Sequence, residues 1–226
     1  MNTPVITDLS KLLDDMGRAG RQLSEMGACE GAAGNLSICL RSAPDIRGFF
    51  TVEDEISLPQ AVPGLAGAMF LVSGSGRRLR EILDDPPAHL ACIIVNPGGI
   101  TGKLFTSHSR RFERVTSEFN SHLAVHVDQM NGTDIAFNAL VHAQPLHITY
   151  LSQVPRYQDF TYFNQHLLRW QPETILNIPE GIGVIPFAVP GSDALMAGNV
   201  DSLRRHRIVL WGKHGLMARS EVSIMR

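Results

Sequence analysis

The sequence predicts an α/β protein in which a sheet with antiparallel strand pairs is covered by helices. Three observations carry that prediction. Apolar residues recur at helical spacing in some stretches and alternate, or run together, in others, so both periods are present. The two kinds of stretch mix without a strict strand–helix–strand beat, which favours a two- or three-layer sheet with antiparallel pairs over a doubly wound parallel one. Length and composition agree: 226 residues, 44% hydrophobic and 19% charged, describe a globular chain with a sizeable core. No repeat, low-complexity tract or long linker divides it, so one domain over 1–226 is expected.

Leu9, Leu12, Leu13, Met16, Leu23 and Met26 recur at helical spacing, so residues 8–26 read as an amphipathic helix that Gly27 ends. The turn Gly31-Ala32-Ala33-Gly34 leads into a strand where Leu36, Ile38 and Leu40 alternate with small or polar residues. Residues 41–65 lack a period and contain Pro44, Pro59 and Pro63, which predicts a loop with one short strand near 49–52. Ala68-Met69-Phe70-Leu71-Val72 is a strand, followed by the turn Ser73-Gly74-Ser75-Gly76 and a short basic helix to Leu83. Residues 91–95 form an apolar strand closed by Asn96-Pro97-Gly98-Gly99. Phe112, Val115, Phe119, Leu123 and Met130 fit one face of a helix over 112–130. A strand over 135–141 follows, and Pro145 is placed to open a helix. Residues 158–170 and 192–205 read as helices, the second with Ser192 as N-cap. Residues 207–211 are a strand, and another begins after Gly215.

Twenty Lys and Arg against 22 Asp and Glu leave a net charge of -2, which argues against a nucleic-acid-coating protein. No stretch approaches the roughly 18 consecutive apolar residues of a membrane span. Met1-Asn2-Thr3-Pro4 carries no basic patch ahead of an apolar run, so no export signal is expected. Cys29, Cys39 and Cys92 are an odd, widely spaced set; they read as reduced, mostly buried thiols of a cytoplasmic protein.

Of nine histidines, two stand at strand ends: His142 after the strand 135–141, and His214 within Trp211-Gly212-Lys213-His214-Gly215. Strand ends are rigid positions from which side chains converge on a ligand. Imidazole is the commonest transition-metal ligand, and a catalytic zinc takes about three protein ligands. The alternative for each is a hydrogen bond within a turn. Glu118, His122 and His126 fall on one helix face. They form either a metal face, a carboxylate with histidine supports or, for His126, a polar helix face. A partly desolvated Glu118 beside a metal would suit general acid/base work. The turns around Gly31–Gly34 and Ser73–Gly76 offer N–H groups and hydroxyls to an anion, or simply reverse the chain. Neither is a Walker loop or a dinucleotide fingerprint.

In chain order, Gly34-Asn35-Leu36-Ser37, Val72-Ser73-Gly74-Ser75-Gly76, Thr116-Ser117-Glu118, the strand ending at His142, and Lys213-His214-Gly215 resemble the class II (metal-dependent) sugar-phosphate aldolases of the aldolase/adducin group. The likeness runs from the first helix to Gly215. It implies an α/β sandwich with a largely antiparallel central sheet flanked by helices. It also implies Zn2+, or another divalent metal, on His142 and His214, with Glu118 as acid/base. Asn35, Ser75, Thr116 and Ser117 become the phosphate pocket. The implied reaction is Lewis-acid-assisted retro-aldol cleavage of a ketose 1-phosphate, rhamnulose 1-phosphate favoured, to dihydroxyacetone phosphate and an aldehyde. A cytoplasmic homotetramer is implied too, with no nucleic-acid or membrane partner. An epimerase, a fuculose- or ribulose-phosphate enzyme, and an adducin-like assembly protein without catalysis are the alternatives the group offers.

Three departures qualify the likeness. The group's His-x-His is His142-Ala143-Gln144 here, so a neutral amide stands at the second metal position, with His147 the nearest substitute. Ala32 replaces an asparagine. The chain ends at Arg226, soon after the last motif, so the domain is expected to be short at its C-terminus.

Overall fold

The computed structural model describes residues 8–223. Met1–Pro4 and Arg226, on which the expectations about the two chain ends rest, lie outside the described residues. The strands are β1 (Asn35–Leu40), β2 (Val52–Ser57), β3 (Met69–Ser73), β4 (Leu90–Val95), β5 (Thr101–Thr106), β6 (Ile135–Ala143), β7 (Gly183–Ile185), β8 (Ile208–Trp211) and β9 (Gly215–Ser223). They form one nine-stranded sheet in the order β2-β5-β4-β3-β1-β6-β9-β8-β7. Every pair is antiparallel except β7 with β8, in line with the largely antiparallel sheet expected.

Alternation along β1 sorts its residues between two layers. Leu36, Ile38 and Leu40 join Leu9, Leu12, Leu13 and Met16 of α1 (Leu9–Glu25) in one core. Cys39 joins Phe70, Ile93, Phe119, Leu123 and Met130 on the opposite face, under α3 (Phe119–Met130). Asp8 caps α1 by accepting from Lys11 N at 3.1 Å. Ser192 caps α7 (Asp193–Leu203), as its sequence position predicts, by accepting from Leu195 N at 3.2 Å. Pro145 opens α4 (Leu146–Leu151), and α5 spans Phe160–Trp170.

The departures from expectation have local causes. The helix expected over 112–130 starts only at Phe119. Ser75 N donates to Arg114 O and Thr116 N to Ser73 O, so 114–116 is tied to the end of β3 and cannot coil. Gly74 makes room for that crossing, since a Cβ there would lie 2.2 Å from the Phe112 ring. The basic helix before Leu83 is a 3-10 turn, Leu79–Glu81. The strand placed near 49–52 runs Val52–Ser57 instead and pairs with β5, which the sequence did not signal because its polar side chains face water. Lys103 pairs with Glu53 across those strands at 2.8 Å. Two short helices, α2 (Pro86–His89) and α6 (Glu173–Asn177), and the three-residue β7 also lack a period long enough to read.

Gly34 opens the strand that carries the site. Its φ is +85°, and a Cβ would lie 2.7 Å from Cys29 Sγ and 2.9 Å from the His142 carbonyl oxygen. Gly34→Ala is expected to cost about 2 kcal/mol through the strained backbone and the clash together. Urea unfolding at neutral pH checks this, and an unchanged midpoint contradicts it.

Candidate active site

The central strands deliver the side chains. In the β1–β6 register Asn35 faces His142, the eighth residue of β6. The β8–β9 turn carries His214 over the same end of the sheet, its N–H closing onto Trp211 O at 3.0 Å. Lys213 adopts a left-handed φ of 65° in that turn, and its N–H is held by Ser152 Oγ at 2.8 Å. Glu118 ends the crossing segment and stands at the N-cap of α3.

These three elements meet. Glu118 is 4% exposed; its Oε2 lies 3.9 Å from His142 Nε2 and its Oε1 lies 3.9 Å from His214 Nε2. One donor atom from each of Glu118, His142 and His214 lies within 4.8 Å of the others. Among the described residues no other group of three His, Cys, Asp or Glu ligand atoms converges in this way. The His142 and His214 rings stand nearly perpendicular, 4.9 Å apart at their centroids. His142 also stacks on Trp211 at 4.4 Å and 18°, and Trp211 Nε1 donates to Asn199 Oδ1 at 2.6 Å, which fixes the platform.

Protonation follows from these contacts. His142 Nδ1 donates to the Leu216 carbonyl at 2.8 Å, leaving a lone pair on Nε2 towards Glu118. Burial pushes His142 down to about 4 against that hydrogen bond. Burial, then His142, lowers His214, while Glu118 opposes them. Both rings are therefore neutral near pH 7. Burial raises the Glu118 carboxyl, against the Asn35 Nδ2 hydrogen bond at 2.7 Å and against His214 once that ring is protonated. Two neutral imidazoles and a carboxylate make a donor set that fits a divalent cation.

The remaining candidates divide. Ser75, Thr116 and Ser117 line one depression of about 460 Å³ with Arg110 and Arg114, and Thr116 Oγ1 accepts from Glu118 N at 3.3 Å. Asn35 is not among those lining residues; its amide joins Glu118 to His122. Gln144 is half-buried beside His142, its N–H bound to Ala28 O at 2.7 Å. His147 is exposed on α4 and takes no part in the Glu118 cluster. His126 does not lie on a polar helix face, as one reading expected. It is 0% exposed, and with His122 it is hydrogen-bonded to Ser37, so the two support the carboxylate side of the site. Sequence reasoning passed over Ser37, Trp211 and Asn199. A serine at an inward position of an apolar strand was the available signal for the first.

A nine-stranded sheet that brings buried Glu118 and His142 together with half-buried His214 marks an α/β protein with a candidate metal site. The chain belongs to the class II aldolase and adducin N-terminal domain family, whose profile matches residues 14–221. Class II aldolases are metal-dependent, and Glu118, His142 and His214 are the candidate metal site here. The rhamnulose-1-phosphate aldolase of Yersinia pestis (strain Pestoides F) is 27% identical over 210 residues, which cover 92% of this chain and 76% of that relative. A sugar-phosphate aldolase from Thermotoga maritima superposes with a TM-score of 0.74 at 26% identity, covering 94% of this chain and 85% of that one. L-Fuculose-1-phosphate aldolase from Thermus thermophilus shares the fold, with a TM-score of 0.53 and 19% identity over 95% of this chain and 83% of that one.

The buried histidines make stability depend on pH. Burial holds His122 well below the ordinary 6.5 and His126 down to about 3, so the folded protein keeps both neutral while the unfolded chain protonates them near 6.5. The stability this confers is complete above pH 6.5 and is lost as pH falls towards the folded values. Each extra proton taken up on unfolding contributes a slope of about 1.4 kcal/mol per pH unit. Urea midpoints in chelator should therefore fall steadily from pH 7 to pH 5, and less steeply in His126→Gln. A flat profile contradicts the neutral assignment.

Proposed function

We propose that the protein is a metal-dependent aldolase that cleaves a ketose 1-phosphate to dihydroxyacetone phosphate and an aldehyde, with rhamnulose 1-phosphate the favoured substrate. The observation carrying this reading is the meeting of Glu118, His142 and His214 next to the depression lined by Ser75, Thr116 and Ser117. The likeness to a rhamnulose-1-phosphate aldolase over 92% of the chain supports the choice of sugar.

In this reading His142, His214 and the Gln144 amide would hold Zn2+, and Glu118, although its carboxylate lies within reach of the same ion, is left free for proton transfer; the ion when bound would supply Lewis-acid polarisation of the substrate ketone. Ser75, Thr116 and Ser117 bind the phosphate by their hydroxyls, since the N–H groups of Ser75 and Thr116 are held by the carbonyls of Arg114 and Ser73. Asn35, expected in that pocket, does not line the depression; one N–H of its amide supports the Glu118 carboxylate and its oxygen meets His122, which leaves its second N–H for the phosphate. Glu118, its carboxyl raised by burial, moves the proton between the substrate's hydroxyl and the carbon that is released as dihydroxyacetone phosphate. Both histidines, neutral near pH 7, keep lone pairs for the cation.

The assay is dihydroxyacetone phosphate released from rhamnulose, fuculose and ribulose phosphates, alongside metal content per chain. Turnover is expected on rhamnulose 1-phosphate, lost on metal removal and restored by zinc. Glu118→Gln should keep the fold and lose about 10²–10⁴-fold in kcat. Gln144→His should raise zinc affinity, because an amide oxygen suits zinc less well than imidazole. Full activity in Glu118→Gln removes the acid/base assignment.

Gln144 also favours a second reading, a family member that binds or assembles without turnover. Stable metal with no cleavage of any of these sugars selects it. Both readings accommodate a homotetramer. Light scattering after gel filtration reads the subunit number. We place the protein in the cytoplasm, where three free buried thiols remain reduced. Among the described residues no helix is long and apolar enough to cross a membrane.

A further inference from the structure

A continuous line of buried hydrogen bonds leads from the middle of α3 to Glu118. His126 Nε2 lies 2.7 Å from Ser37 Oγ, which lies 2.6 Å from His122 Nδ1. His122 Nε2 bonds Asn35 Oδ1, and Asn35 Nδ2 lies 2.7 Å from Glu118 Oε2. Ser37, His122 and His126 are at most 1% exposed and Asn35 is 7% exposed, so water does not compete for these groups.

The carboxylate end decides the direction of every bond. An ionised carboxylate only accepts, so the Asn35 NH2 faces Glu118 and its carbonyl oxygen faces His122. That oxygen also only accepts, so neutral His122 carries its proton on Nε2 and offers a lone pair at Nδ1. Ser37 donates its single proton to that lone pair, and its oxygen accepts from Nε2–H of His126. Bonds aligned in one direction polarise and strengthen one another.

The carboxylate end alone sets that direction, because at the far end His126 lies beside the buried Asn138 side chain, whose amide accommodates either tautomer.

We propose that Ser37 and His122 are positioning residues for Glu118. Acting through Asn35, they hold its amide with the NH2 towards the carboxylate, so that Oε2 stays engaged and Oε1, beside His214, is the oxygen that exchanges a proton with the substrate. The assignment of roles rests on the aldolase reading; the direction of the hydrogen bonds does not.

Two measurements test it on the full chain with its metal bound. Long-range proton–nitrogen correlation spectra of protein labelled with ¹⁵N-histidine should show His122 and His126 as Nε2–H tautomers. An Nδ1–H tautomer on His122 overturns the proposal without any variant being needed. Ser37→Ala should release the His122 tautomer and lower kcat roughly 10–100-fold, the usual effect of losing a residue that orients a reacting group. KM should stay within about twofold, and Ser37→Thr, which keeps the hydroxyl, should restore both tautomer and kcat. Unchanged kcat in Ser37→Ala, a loss confined to KM, or a loss that Ser37→Thr leaves in place each overturns it. A wild-type protein that shows the Nε2–H tautomers but cleaves no ketose phosphate sinks the aldolase reading and leaves the direction of the hydrogen bonds standing.

Discussion

An ionised carboxylate withdrawn from water is costly unless its oxygens are engaged, and Glu118 is 4% exposed. Most of the site can be read as the answer to that constraint. Asn35 supplies one donor, whereas the two imidazoles 3.9 Å from the carboxylate oxygens are neutral, and His142 turns a lone pair towards the acid, so a cation between them would complete its engagement. The same three contacts explain why the site suits a cation, since two neutral rings and a buried acid lack positive charge among themselves. They also explain why the Asn35 amide is held from behind. An amide free to flip would present its carbonyl to the carboxylate and repel it.

The sheet makes the convergence rigid. β1 lies between β3 and β6, so Asn35 is in register with His142, and the crossing 114–116 is pinned to the end of β3 just before Glu118. A one-residue slip of β1 against β6 would turn Asn35 and Ser37 into the α1 core and bring leucines under α3. The apolar residues Leu36, Ile38 and Leu40 packed below α1 oppose that slip. Packing on one face of the strand thereby sets the hydrogen bonding on the other. On the far side of the site, Trp211 stacks on His142 and is itself tied to Asn199, linking the β8 strand and α7 to ring orientation.

The turn after β3 is a separate device joined to the Glu118 carboxylate by one residue. Thr116 lines the depression with Ser75 and Ser117, and its hydroxyl also accepts from the Glu118 N–H. A shift in the crossing segment would move both the depression and the carboxylate, so the two share one mechanical support. Gly74, which lets Phe112 pack against the turn, is what permits that segment to pass so close.

Helical apolar spacing marked α1, alternation marked β1, and continuous apolar runs marked β3 and β4, because a strand buried on both faces carries apolar side chains throughout. Ser192 marked its helix start because a cap is a local interaction. The strand-end histidines and the Thr116-Ser117-Glu118 run were likewise visible, since their chemistry is written in residue type and order. Other features depended on contacts distant in sequence. The helix expected from Phe112 begins at Phe119 because backbone bonds to β3 outweigh a local apolar pattern. β5 exists because β2 and β4 offer it partners, not because its own residues ask for a strand. That the Asn35 amide joins Glu118 to His122, 83 and 87 residues away, was not written in its motif. Sequence determined which groups with chemistry this chain owns. Only the tertiary structure decided which of them face each other, because hydrogen-bond direction and burial are properties of pairs brought together by the fold.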